Sequence, residues 1–287
     1  MKTLDTLVRD VYQVLQTKDI PESVDFEAAL DSFADNLKKT MRNAFSERKD
    51  GRTLRMSNIG RKDRFLWHVV NKPNVQEELA PNNYIKFLYG HLIEEMLLFL
   101  VKVSGHEVSD EQKLVDVNGI KGSMDCKIDG VVVDVKSTST FGFKKFKEAT
   151  LAYDDPFGYI GQLKGYAKAE GQTSYAWLAM DKQNGHLCVL KYDETDTQAP
   201  VHSEISYDIE ERIDHIRTVT SLPEPPEPCY PLEPDGKSGN MKLAIGCSYC
   251  PYKHECWKGL RAFRYSNGIR YLAEVVNEPK VQEIELL

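Results

Sequence analysis

Apolar residues at Leu4, Leu7, Val8, Val11, Tyr12 and Leu15 recur at helical spacing, so the chain opens on a helical region. A longer helix is predicted over 82–102. There Leu88, His91, Leu92, Glu95, Leu98 and Phe99 fall on neighbouring turns, and Glu94 stands among apolar residues. The period then shortens. Residues 106–117 and 122–135 are rich in Val and Ile and are punctuated by Asn118-Gly119 and Asp129-Gly130, which are hairpin-turn signals. A helix over 160–170 follows, stopped by Gly171. Strands over 174–180 and 186–192 flank an Asn184-Gly185 turn, and a helix over 205–221 closes the series. The order of helix, strands, helix, strands and helix predicts an α/β layer fold.

The pattern breaks after Leu222. Pro223, Pro225, Pro226, Pro228, Pro231 and Pro234 exclude a helix or central strand and read as a stiff extended linker. Three regions result: a helical part over 1–55, a core over 56–221, and a linker with a cysteine-bearing segment over 222–287. The last residues, including Glu283, Glu285 and two leucines, read as a loosely held tail.

Composition adds limits. Hydrophobic residues make up 41% and charged residues 28%, which permits a real core. The longest apolar run, 96–101, is far short of the roughly 20 residues of a membrane span. Met1 to Leu15 lacks a signal-peptide core, so a cytoplasmic protein with no membrane contact is expected. Net charge is −7, which weighs against nucleic acid as a partner. Residues 38–64, however, carry ten Lys and Arg against three acids, a stripe able to meet phosphates. Arg61, Lys62 and Arg64 belong to it.

The segment Gly122-Ser-Met-Asp125 to Asp134-Val135-Lys136 holds the candidate chemistry. A tight turn at Asp129-Gly130 sets Asp125 opposite Asp134 across a hairpin. Two carboxylates converging at strand ends suit a hard divalent cation, and the Val135 carbonyl offers a further oxygen. Alternation puts the Lys136 ammonium on the face of Asp134. Asp-x-Lys alone is common and more often marks a salt-bridged hairpin end. Its neighbours raise its meaning: Glu94 in an apolar helix upstream, and Gln162 and Tyr166 one helical turn apart downstream.

Four pieces stand in order: Gly90-x-x-x-Glu94, Gly122-x-x-Asp125, Asp134-x-Lys136 and Gln162-x-x-x-Tyr166. Together they resemble the RecB-like branch of the PD-(D/E)XK nuclease superfamily, over roughly residues 57–166. Many RecB-type members have His where Glu94 stands. The Glu form is more like lambda exonuclease and its relatives, and His91 is a lesser candidate for that role.

The resemblance implies a restriction-endonuclease-like core, a central mixed sheet flanked by helices. It also implies Mg²⁺ or Mn²⁺ held by Glu94, Asp125, Asp134 and Val135, with Lys136 catalytic. Gln162, Tyr166 and the basic Arg61, Lys62 and Arg64 would contact DNA or brace the site. The expected activity is a metal-dependent DNA exonuclease of recombination, replication or repair, plausibly phage-encoded and acting in the host cytoplasm. Its partner would be single-stranded DNA or duplex ends, with a loading protein left open. The alternatives are a structure- or sequence-specific endonuclease, or a non-catalytic nucleic-acid-binding protein with a structural metal centre.

Cys247-x-x-Cys250-x₅-Cys256 has the spacing of thiolates around zinc or an iron–sulfur cluster. It is similar to the C-terminal part of the iron–sulfur staple in AddB-type and CRISPR-associated RecB-like nucleases. There the fourth cysteine lies upstream, in a pattern like Ser-x₄-Cys-x-Arg-x₃-Tyr. Residues 57–68 fit that frame with Lys62 at the cysteine position and His68 at the tyrosine position. Cys229 or His254 is then the expected fourth ligand. The first favours iron–sulfur and the second zinc. Cys126 and Cys188 read as core. Among the aromatics, Trp177 reads as core and Trp257 as a cover for the cluster. Phe141, Phe143 and Phe146, interleaved with Lys144, Lys145 and Lys147, read either as a DNA wedge or as a helix packing on the sheet.

Overall fold

The computed structural model describes residues 2–46, 53–75, 81–195, 207–266 and 268–284. Arg48, Lys49 and Arg52 of the basic stripe, the start of the predicted 205–221 helix, and residues 285–287 of the tail lie outside them.

Four helices come first: α1 (Leu4–Thr17), α2 (Phe26–Ala44), α3 (Asp63–Asn71) and α4 (Pro81–Val103). Five strands follow: β1 (Val108–Ser109), β2 (Leu114–Val117), β3 (Ile120–Ser123), β4 (Cys126–Ile128) and β5 (Val131–Thr138). Then come α5 (Thr140–Lys147), α6 (Tyr159–Ala169), β6 (Ser174–Asp181), β7 (Leu187–Asp193) and α7 (Ile209–Thr220).

The predicted turns are present for a physical reason. Asn118 and Gly119 have φ of 48° and 80°, and Asp129 and Gly130 have 50° and 82°. Two successive positive φ values match the twist of a two-residue hairpin, and Asn-Gly and Asp-Gly tolerate them best. The Asp129 turn is tied down as well. Its carboxylate meets His106 Nδ1 at 2.7 Å and accepts from the Glu107 N–H at 3.1 Å.

The central sheet runs β1-β4-β5-β6-β7. It is mixed: β5 and β6 are parallel, and the other neighbours are antiparallel. Parallel neighbours need a crossover, and α5 and α6 supply it. Helices cover both faces. Leu4, Leu7 and Val11 of α1 and Ile93, Leu97 and Val101 of α4 pack on Val133, Val135 and Leu178. On the other face, Phe143 and Phe146 of α5 and Leu163 and Tyr166 of α6 pack on Val132, Tyr175 and Trp177. A strand buried on both faces reads as a continuous apolar run, which explains Val131 to Val133. Burying each of these side chains contributes about 1.5–3 kcal/mol.

The region after 222 departs from the linker-and-tail expectation. The proline-rich stretch lies along α3: Trp67 Nε1 donates to the Leu222 carbonyl at 2.8 Å, and Arg64 Nη1 donates to that of Pro226 at 2.5 Å. Beyond it, β8 (Glu233–Pro234) and β9 (Met241–Lys242) precede two short helices, α8 (Ile245–Ser248) and α9 (Lys253–Cys256). Strands β10 (Arg261–Tyr265), β11 (Gly268–Glu274) and β12 (Glu283–Ile284) complete a second sheet, ordered β12-β10-β11-β9-β8. Three of its strands, β8, β9 and β12, hold two residues each and are too short to show an apolar alternation. A small apolar cluster of Leu243, Cys247 and Leu260 packs against it, and polar pairings add to the hold: Arg270 to buried Asp235 at 2.7 Å, and the Asn240 side-chain Oδ1 accepting from the N–H groups of Val276 and Asn277. Among the described residues, no helix is long and apolar enough to cross a membrane.

Candidate active site and cysteine pocket

Strand β5 carries the centre of the site. In the β4–β5 ladder Cys126 faces Val133, so Asp125, one residue beyond β4, falls level with Asp134. Because β4 begins only at Cys126, the Val135 N–H is left to Asp125, whose Oδ2 accepts it at 2.9 Å. Asp134 is 1% exposed and its Oδ2 lies 2.6 Å from Lys136 Nζ. That contact is an ion pair rather than an aligned hydrogen bond, and Oδ1 is buried with no hydrogen-bond partner. Val135 turns its side chain to the opposite layer, against α1 and α4.

Glu94 reaches the group from α4. It is 17% exposed and accepts from Gln112 Nε2 at 3.1 Å. Gln112 also accepts from Ser123 Oγ, and its N–H donates to the Asp125 carbonyl. It thereby ties the helix-borne acid to the strand-borne one. His91 is exposed, with Nδ1 3.9 Å from Glu94 Oε2, and that carboxylate raises its pKa. At Gly90 a Cβ would meet only Ser137 Oγ, at an ordinary contact distance of 3.6 Å, so the approach of α4 to β5 does not demand a glycine there.

On the facing layer Gln162 Nε2 donates to Tyr166 Oη at 3.4 Å. Burial pushes the Tyr166 phenol up to about 12. Gly122 makes room for this ring: a Cβ there would stand 2.7 Å from Tyr166 Cε1. The Tyr159 ring lies 5.0 Å from Lys136 Nζ, a cation–π contact.

Electrostatics bind these groups into one unit. Burial, then Asp134, then Glu94 push the Asp125 carboxyl well above the usual range. Burial also raises Asp134, against the pull of Lys136. Burial opposes the Lys136 charge, yet Asp134 and Asp125 outweigh it and its pKa is raised. Acids crowded with one ammonium, in a place that penalises their charge, form a receptor for positive charge. The donor set of carboxylate oxygens and one unpartnered buried oxygen fits a hard divalent ion. As the side chains stand, no three His, Cys, Asp or Glu among the described residues close around a single ion. Lys136 is the cation at Asp134.

The fold gathers a second group of residues. One pocket is lined by Cys229, Cys247, Cys250 and Cys256 together with Arg61, Lys62, Phe65, His68, Lys253 and Trp257. The proline-rich stretch delivers Cys229, and the segment from α8 to α9 delivers the other three. His254 is exposed, and its ring lies against Tyr271 rather than lining the pocket. Burial raises the thiols of Cys229, of Cys247 to about 12 and of Cys250 to about 11. Cys256 Sγ accepts from Arg64 Nε at 3.2 Å and lies 3.5 Å from His68 Nε2. Burial, with Arg64 and Lys72 nearby, lowers His68 to about 4.

Sequence reasoning placed Arg61, Lys62 and Arg64 toward DNA or around the acids. The structure places them at the cysteine pocket, where Arg61 also stacks its guanidinium 4.1 Å over Phe65. Lys62 and His68 line the same pocket, at the positions where the resembling pattern has cysteine and tyrosine. Phe143 and Phe146 are core, while Phe141 is 74% exposed. Trp177 is core, and Trp67 is buried with its N–H on Leu222. Lys164 and Lys168 pair with Glu194 and Glu210. Gln112 and Tyr159 went unnoticed in the sequence. Tyr159 carried a usable signal, standing one turn before Gln162. Gln112 carried none, because its role depends on a positive φ of 54° set by the fold.

No protein-family model matches the chain, and no curated protein matches it. Among solved structures, the crystal structure of SSO0001 is similar at 14% identity and a TM-score of 0.45, over 77% of this chain and 93% of that one. An alkaline exonuclease, LHK-Exo from Laribacter hongkongensis, is similar at 14% identity and a TM-score of 0.33, over 57% of this chain and 91% of that one. The same exonuclease in complex with dAMP gives 14% identity and 0.33, over 58% and 87%.

Proposed function

We propose that this chain is a divalent-metal-dependent nuclease that hydrolyses DNA phosphodiester bonds from an end. The observation that carries the reading is the buried Asp134–Lys136 pair at 2.6 Å, with Asp125 fixed beside it through Val135 and Glu94 reaching in from α4. A plain structural ion pair needs neither the second nor the third acid, and both raise its electrostatic cost.

Asp125 and Asp134 would hold Mg²⁺ or Mn²⁺, with Glu94 and the Val135 carbonyl adding oxygens. When bound, such an ion polarises a phosphodiester oxygen and lowers the pKa of a water. Lys136 is placed to orient the attacking water and to offset charge gathering on the phosphate. Tyr159 holds the Lys136 ammonium from the side. Gln162 and Tyr166 form the opposite wall and supply donors toward a DNA backbone or the acids. The four-cysteine pocket is read as a structural centre that pins the C-terminal sheet to α3. Four thiolates suit an iron–sulfur cluster and also zinc.

The test is digestion of end-labelled linear DNA against circular DNA with Mg²⁺ or Mn²⁺. Release of nucleotides from linear DNA alone, lost with chelator and with Asp134→Ala, is the expected result. Digestion that survives Asp134→Ala overturns the assignment. Cutting of circular DNA overturns the end-directed part.

A further inference from the structure

The first turns of α4 carry exposed apolar side chains. Tyr84 is 53% exposed, Ile85 70%, Phe87 49% and Tyr89 46%. Helix ends that carry aromatic residues into solvent mark a surface with a purpose. Their order on the helix gives a direction. Tyr84, Phe87, His91 and Glu94 are spaced by three, four and three residues, which keeps them within about 80° of one helical face. His91 is 66% exposed, and Glu94 belongs to the acid cluster. The stripe is about 15 Å long and ends on a catalytic acid.

The neighbouring helix adds charge. Phe26 and Phe33 of α2 pack on Phe99 at 6.1 Å and 5.1 Å between ring centroids, and the Asn36 side chain lies beside Glu95. The two helices therefore run antiparallel. That registry sets Lys39 and Arg42, both exposed, level with Leu92 and Tyr89. Aromatic faces beside cationic side chains are the physical requirement for holding single-stranded nucleic acid, whose bases stack while its phosphates are neutralised. A second copy of the chain bound here would cover the approach to Glu94. A polymer that must reach Glu94 has reason to lie along the stripe.

We propose that Tyr84, Phe87 and His91 form a base-stacking platform for single-stranded DNA that leads the strand end to Glu94, with Lys39 and Arg42 on its phosphates. The proposal rests on the nuclease reading and narrows its substrate to a single-stranded or frayed end.

The experiment measures binding of a labelled single-stranded oligonucleotide, by fluorescence anisotropy in chelator, so that no chemistry intervenes. Tyr84→Ala/Phe87→Ala is expected to weaken binding about tenfold or more while leaving the salt dependence unchanged. An abasic oligonucleotide should bind wild type and this variant alike. Lys39→Gln/Arg42→Gln should flatten the salt dependence. Both pairs are exposed, and circular dichroism confirms that the variants fold. Equal affinity of wild type and Tyr84→Ala/Phe87→Ala for the normal oligonucleotide overturns the platform. So does a concentration-dependent dimer, seen by sedimentation, that this variant abolishes without changing DNA binding. The two readings separate cleanly: stacking-dependent binding without any cleavage keeps the platform and sinks the nuclease, and the reverse result sinks the platform alone.

Discussion

The Val135 N–H donates to the Asp125 carboxylate at 2.9 Å, so the strand that bears Asp134 also orients the second acid. An Asn at position 125 keeps that acceptor and loses only the charge. Asp125→Asn is therefore expected to remove nuclease activity by at least about 100-fold, the upper end of what residues supporting a metal ligand cost. The same substitution should raise the melting temperature of the metal-free protein at pH 8 by a few degrees. Calorimetry alongside the cleavage assay checks both, and a fall in melting temperature contradicts the repulsion of Asp125 by Asp134 and Glu94.

The pH dependence has a definite sign. The carboxyls of Asp125 and Asp134 have raised folded-state pKa values, above an unfolded value near 3.8. Their contribution to stability is thus whole below about pH 4 and is lost as pH rises through the folded values. The gain from Asp125→Asn should vanish near pH 4. Divalent-ion affinity should climb with pH over the range in which these carboxyls shed protons, because bound ions and protons compete. Titration calorimetry at several pH values reads this directly, and affinity independent of pH contradicts it.

Lys136 balances a carboxylate that is almost wholly buried. Lys136→Met leaves Asp134 uncompensated and is expected to cost about 3 kcal/mol of stability in the metal-free protein, as breaking buried pairs does. Lys136→Met/Asp134→Asn should recover most of that loss while remaining inactive. Urea unfolding of the three variants gives the coupling energy, and additive effects would show that the pair is not coupled.

Cys229, not His254, shares the pocket with the clustered cysteines. After anaerobic purification, Cys229→Ser should lose bound metal as fully as Cys247→Ser, and His254→Ala should retain it. Iron, sulfide and zinc analysis with a visible spectrum decides this and names the centre. Arg64 donates to Cys256 Sγ, and a donor to a ligating sulfur stabilises the more negative, reduced state of a cluster. If the centre is iron–sulfur, Arg64→Gln should lower its midpoint potential, measured by redox titration.

Much of the core was legible because its cues are local. Asp129-Gly130 and Asn118-Gly119 announce hairpins through backbone sterics alone, and the turn position then pairs Asp125 with Asp134 by counting. Glu94 was legible as a charge that an apolar helix does not tolerate without cause. The C-terminal sheet was not legible, since strands such as Glu233–Pro234 and Met241–Lys242 hold two residues and show no period. Arg61, Lys62 and Arg64 look alike whether they face phosphate or sulfur. Only the docking of the proline-rich stretch on α3, a contact across more than 150 residues, turns Arg64 toward Cys256.

The hairpin at Asp129-Gly130 also acts as a gauge of length. Side chains alternate along β5, with Val132 on the α6 side and Val133 and Val135 on the α1 and α4 side. One residue inserted into that bend would rotate the rest of the strand by half a turn. The Asp134 carboxylate and the Lys136 ammonium would then press into the apolar face that packs on α1 and α4, and two valines would take their places on the α6 side. The Asn184-Gly185 bend sets only the register of β7 against β6, so an insertion there leaves the alternation of Asp134 and Lys136 on β5 untouched.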